Sequence, residues 1–147
     1  MDTHRASEWL RFGDMDLEVS EHTMKLMRPA PYEIICYHCQ QAVEKYLKGY
    51  LNFRGVEDPP HIHHLTKLCL LCVEYDESFN DILRECAFLT GYASGSRYPD
   101  EIYVDEEITK QAISYANRIK DFAPLAAVRQ ELEQALEDET TRADPIE

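Results

Sequence analysis

No run of apolar residues in the chain approaches the ~20 that a helix needs to cross a bilayer. The first residues, Met1-Asp2-Thr3-His4-Arg5, contain no apolar signal-peptide core. Both absences predict a protein that stays in the cytoplasm. Cations are scarce as well. Fifteen Lys and Arg stand against 28 Asp and Glu, and a formal net charge of −13 repels phosphate backbones, so unassisted, non-specific nucleic-acid binding is not expected. The five cysteines are an odd number spread through helix-like apolar patterns, which argues against a secreted disulfide framework and for buried, reduced thiols. Internal repeats and low-complexity blocks are absent.

What is present is globular. At 147 residues, with 44% hydrophobic and 29% charged, the chain fits one core. Apolar residues recur at steps of three and four, the period of a helix buried on one face. Residues 6–27 carry Ala6, Trp9, Leu10, Gly13, Leu17, Ser20, Met24 and Met27, and Pro29 with Pro31 then stops the helix. Residues 32–53 carry Tyr32, Ile35, Cys36, Cys39, Val43, Tyr46, Leu47 and Tyr50, with Glu44 and Lys48 forming an i,i+4 pair on the opposite side. Gly55 and Pro59-Pro60 turn the chain back.

Two shorter helices are predicted at 64–75 and 79–93, followed by a Gly/Ser/Pro loop through Asp100. Asp105 can cap the next helix, which carries Glu106 and Glu107 in its first turn. Its buried face continues through Ile108, Ala112, Tyr115, Ala116, Ile119 and Phe122. Pro124 fits a kink or the first turn of a new helix, after which Leu125, Val128, Leu132 and Leu136 keep a weaker period, which points to a place at the surface or against a partner. From Thr140 onward a frayed tail is expected. The fold class expected is all-α, an antiparallel up-and-down bundle of about five helices, with residues 1–124 as the bundle and 125–147 as a C-terminal helix and acidic tail. Trp9, the methionines and most tyrosines are assigned to the core.

Several groups could carry chemistry. Cys36-x-x-Cys39 and Cys69-x-x-Cys72 have the spacing of half zinc sites, yet an i,i+3 pair inside an apolar run is also what a buried stripe produces, and no glycine knuckle accompanies either. His61, His63 and His64 could converge on a metal or cap the next helix. On the polar side of the second helix His38, Gln41, Lys45 and Lys48 follow at helical steps and could line a groove with donors, or form a solvated face. Arg97, in the loop, could bind phosphate through its planar fork or pair with a carboxylate.

Several of these residues lie in stretches that resemble the HEPN domain family. Glu8-Trp9-Leu10-Arg11 with Asp16-Leu17 is similar to that family's opening helix. The stretch from Tyr37 through His38, Gln40-Gln41-Ala42 and Glu44-Lys45 to Leu47-Lys48 is similar to its central signature. Pro59-Pro60 with His63 and Leu65 resembles its His-Asp-Leu helix start, with His64 in place of the acid, and Ser96-Arg97-Tyr98-Pro99-Asp100 resembles its Arg-Tyr-Pro loop.

The resemblance implies a bundle that is commonly dimeric, often encoded beside a minimal nucleotidyltransferase, and associated with nucleotide or RNA transactions. Ribonuclease members of the wider group carry Arg and His four to six residues apart, an acid–base imidazole beside a charge-stabilising guanidinium. Ile102, Tyr103 and Val104 occupy the matching positions after Arg97, and Arg54 with His61 has the spacing only across the Gly/Pro connector. A non-catalytic member of a toxin–antitoxin-like pair is therefore expected, without cofactor or metal. Its nucleotide site would be His38, Gln41, Lys45 and Arg97, and its partners a second copy and a nucleotidyltransferase. A ribonuclease toxin is the alternative.

Overall fold

Prolines set the first corner. Helix α1, Thr3–Leu26, ends just before Pro29, and α2, Tyr32–Phe53, starts immediately after Pro31, so the two lie antiparallel and share the largest interface of the molecule. The computed structural model describes residues 2–92 and 103–143. Beyond the hairpin the chain forms α3 (Leu65–Val73), a 3-10 turn (Glu77–Ile82), α4 (Leu83–Thr90), α5 (Glu106–Lys120) and α6 (Ala123–Ala143). Among the described residues there are thus six α-helices and no strand, an all-α bundle as the periodicity predicts.

The α1–α2 contact is close because small residues face large ones. At Gly13 a Cβ would stand 2.7 Å from Tyr46 Cε1, so the absence of a side chain is what admits the Tyr46 ring. Ser20 Oγ, fully buried, lies 3.2 Å from the Ile35 carbonyl and donates toward it across the hairpin. Ile35, Val43 and Leu47 are all buried on the stripe where the sequence places them. Phe79 closes the far side of the core, with its ring centroid 4.5 Å from Tyr50 and 5.2 Å from Phe122. Gly55 makes the exit from α2 with φ +101°, a left-handed conformation that costs glycine little.

Local signals hold at α5, where the Asp105 carboxylate accepts from the Ile108 amide at 2.8 Å. They fail in the fourth segment. The single helix expected over 79–93 is a 3-10 turn followed by the short α4, because the Asp76 side chain accepts from the Ser78 amide at 3.0 Å and from the Ser78 hydroxyl at 2.7 Å and starts a tighter turn. Helix α6 also departs from expectation. Leu125, Val128 and Leu132 are buried in the common core, and the helix continues through Ala143, past the point where fraying was expected. Met15 and Met27, assigned to the core by pattern, are exposed.

Candidate functional site

The polar residues of α2 meet α1 along one seam. Asp16, on α1, receives two of the predicted site residues at once. His38 Nδ1 lies 2.9 Å from Asp16 Oδ1, where the tautomer protonated on Nδ1 donates, and the Lys45 ammonium donates to Asp16 Oδ2. The side chains are half-buried, 28% exposed for His38, 25% for Lys45 and 14% for Asp16. Two nitrogen donors thus share one carboxylate at the rim of the hairpin. An anionic ligand that competes with Asp16 would find both donors already placed.

Gln41 turns elsewhere. Its amide donates to Gln40 Oε1 at 2.8 Å and so joins a second, deeper network. Gln40 Nε2 donates to the His63 carbonyl at 3.0 Å and to Glu44 Oε1 at 3.3 Å; His63 Nδ1 lies 2.8 Å from the same Glu44 oxygen; Lys48 Nζ donates to Glu44 Oε2 at 3.2 Å and lies 5.7 Å from the Trp9 ring centroid. Glu44 and Lys48 form the expected i,i+4 pair, but their side chains are only 6% and 8% exposed, so the pair faces inward and not toward solvent as its spacing suggests. This network ties the His-rich connector to the middle of α2.

A third cluster was not visible in the sequence. Asp14 accepts from Tyr46 Oη at 2.7 Å and from both terminal nitrogens of Arg129 at 2.8 and 2.9 Å, and the Arg129 guanidinium carbon lies 5.4 Å from the Tyr46 ring centroid. Burial and the neighbouring Asp14 carboxylate push the Tyr46 phenol well above its ordinary range. The cluster pins α6 to the hairpin.

The remaining candidates separate. His61 pairs with Asp58 at 3.3 Å, His63 with Glu44, and His64 Nδ1 accepts from the Lys67 amide at 3.4 Å as the cap of α3, so the three imidazoles face three different partners. Arg54 stacks over the Tyr75 ring at 5.4 Å, while His61 takes Asp58 as its partner. Arg97 lies outside the described residues. The cysteines are buried and reduced, with Cys36 Sγ 3.7 Å from Thr109 Oγ1, Cys69 Sγ 3.2 Å from the Phe79 carbonyl and Cys72 Sγ 3.8 Å from the Leu47 carbonyl. Burial raises the Cys39 thiol to about 12. Among the described residues no group of three His, Cys, Asp or Glu side chains is arranged to hold a metal ion.

Fold and seam together define an all-α bundle organised on a long helical hairpin, with a conjoined Asp–His–Lys cluster at its rim. The model of the HEPN domain matches residues 6–126, and the chain belongs to that family. It is similar to ST0689, an archaeal HEPN homologue, at 28% identity over 90% of this chain and 99% of that one, with a TM-score of 0.63. It is also similar to TT1696 from Thermus thermophilus, at 25% identity over 86% and 97% of the two chains, with a TM-score of 0.68. No curated protein matches the chain.

Proposed function

We propose that this HEPN-domain protein is a non-catalytic, homodimeric binding module that takes a nucleotide at the α1–α2 rim and works with a nucleotidyltransferase partner in a two-component system. The observation that carries the nucleotide reading is the Asp16 cluster. His38 and Lys45 stand together on one half-buried flank, held by a single carboxylate, and a phosphate group is the ligand whose charge and acceptor geometry both donors suit. A site of two donors on an otherwise acidic protein selects a small anion over a nucleic-acid backbone, whose many phosphates meet the net charge of −13.

The ribonuclease reading has less support. It needs an imidazole working beside a guanidinium, and the one pair with the spacing, Arg54 and His61, is engaged separately by Tyr75 and Asp58. Isothermal titration of ATP, GTP, CTP and UTP at millimolar concentration tests the proposal. Heat with at least one of them, weakened in Lys45→Ala, supports it, and no heat with any removes the nucleotide half. Co-purification with the nucleotidyltransferase encoded nearest to the gene tests the other half. Toxicity on induction that disappears in Arg97→Ala would favour the ribonuclease instead.

A further inference from the structure

The outer flank of α1 is built like an inner one. Phe12, Met15, Val19 and Leu26 are 43%, 47%, 45% and 72% exposed, and with His22 they follow at alternating steps of three and four, the spacing by which one helix packs on another. The core residues of the same helix, Ala6, Leu10, Gly13, Leu17 and Ser20, occupy the opposite side. A surface helix of an ordinary monomer is polar where this one is apolar. The Arg11 guanidinium, 4.8 Å from the Phe12 ring centroid and 3.7 Å from Met15 Sδ, leans over the stripe. A groove of about 500 Å³ runs beside it, lined by Glu18, Glu21, His22, Met24, Lys25 and Ile113.

We infer that this stripe is the contact by which two copies of the chain pair, antiparallel, α1 on α1. The inference rests on the homodimer reading above and assigns it a surface and a register. Charge decides the register. Glu18 and Lys25 are exposed on one side of the stripe, each immediately before a stripe residue. When Met15 of one copy meets Leu26 of the other and Val19 meets His22, Glu18 of each copy stands opposite Lys25 of the other, twice by symmetry. Shifting one helix by seven residues, so that Met15 meets Val19, opposes Glu18 to Glu18 and Arg11 to Lys25. Opposite charges on the flanks of such a seam select partner and alignment, and like charges reject it. The contact is isologous and closes on itself, so it ends at two copies.

From Phe12 to Leu26 the stripe is about 21 Å long at 1.5 Å per residue. A single pair of helices of that length lies at the small end of specific interfaces, so pairing is expected to be reversible and concentration-dependent.

Sedimentation of the full chain between about 1 and 200 µM tests this. The mass should rise from 17.1 kDa toward twice that value. A chain that stays at 17.1 kDa throughout overturns both the homodimer reading and the interface. Val19→Glu and, independently, Met15→Glu should each weaken pairing at least about tenfold while the helical circular dichroism is unchanged. A dimer indifferent to both keeps the homodimer and overturns the stripe. Glu18→Lys and Lys25→Glu should each weaken pairing, and the double variant carrying both should recover to within about threefold of the wild type. Failure of the double variant to recover overturns the antiparallel register.

Discussion

Asp14 and Arg129, separated by 115 positions in the chain, form a two-point ion pair with contacts of 2.8 and 2.9 Å that fastens α6 to the hairpin. Tyr46 completes the cluster from α2. Asp14→Ala should cost about 2–3 kcal/mol, because it strands a guanidinium and a phenol that are both largely buried. Urea denaturation measures it. A loss below about 0.5 kcal/mol would rank the pair with ordinary surface ion pairs.

Gly13 and Gly49 both lie in the α1–α2 contact, but they differ in what surrounds them. A Cβ at Gly13 meets the Tyr46 ring at 2.7 and 2.9 Å, whereas one at Gly49 meets Leu10 Cδ2 at 3.0 Å and Trp9 Cβ at 3.1 Å. Alanine improves an exposed helix by about 1 kcal/mol over glycine, and overpacking costs about 1–3 kcal/mol. Gly13→Ala should therefore destabilise by roughly 2 kcal/mol more than Gly49→Ala, measured as the difference in urea midpoints at unchanged slope.

Glu44 holds three partners at once while almost fully buried. Glu44→Ala leaves the Lys48 ammonium in a dry position without its carboxylate, and the expected loss is about 3–5 kcal/mol. Glu44→Gln keeps acceptor and shape and should lose less. The same two variants, compared by hydrogen exchange, should loosen the 57–64 connector before they loosen α5.

These pairs show where sequence reasoning reaches and where it stops. The α2 stripe was legible because a three-and-four period needs only local spacing, and the stops at Pro29, Pro31 and Gly55 need only backbone chemistry. Asp105 was legible as a cap for the same reason. Asp76 was not, since a carboxylate followed two positions later by serine serves a 3-10 turn as well as a helix start. The i,i+4 spacing shows that Glu44 and Lys48 pair, but not that the pair is buried. Spacing says which side chains face each other, but whether Trp9 and the connector cover them is decided by other helices. The helical spacing of His38 and Lys45 places both on the polar side of α2. The carboxylate that joins them, Asp16, lies on another helix, and only the hairpin geometry brings it there.

Alkaline pH should destabilise the protein earlier than a typical soluble domain. Burial pushes the Cys39 thiol up to about 12 from an ordinary value of 9.0 and also raises Cys72, while the hydrogen bond with the neighbouring Cys69 thiol, together with burial, raises Cys86. A raised folded value means that the stabilisation is complete below pH 9 and is lost as pH climbs toward the folded value. Each such thiol removes up to about 1.4 kcal/mol per pH unit in that window. Unfolding free energy followed from about pH 8 to about pH 10.5 should fall steadily above 9, and Cys39→Ala should fall less steeply than the wild type. A flat profile would contradict the burial of these thiols.

The rim cluster carries the functional reading, and calorimetric titration of ATP into three proteins tests it most directly: wild type, Lys45→Ala and Asp16→Asn. Lys45→Ala should bind about 10–100-fold more weakly, the worth of one charge-assisted hydrogen bond. Asp16→Asn removes the internal competitor while leaving the donors in place, and it should bind more tightly than the wild type. ATP affinity that is absent, or identical in all three proteins, would contradict binding at the α1–α2 rim.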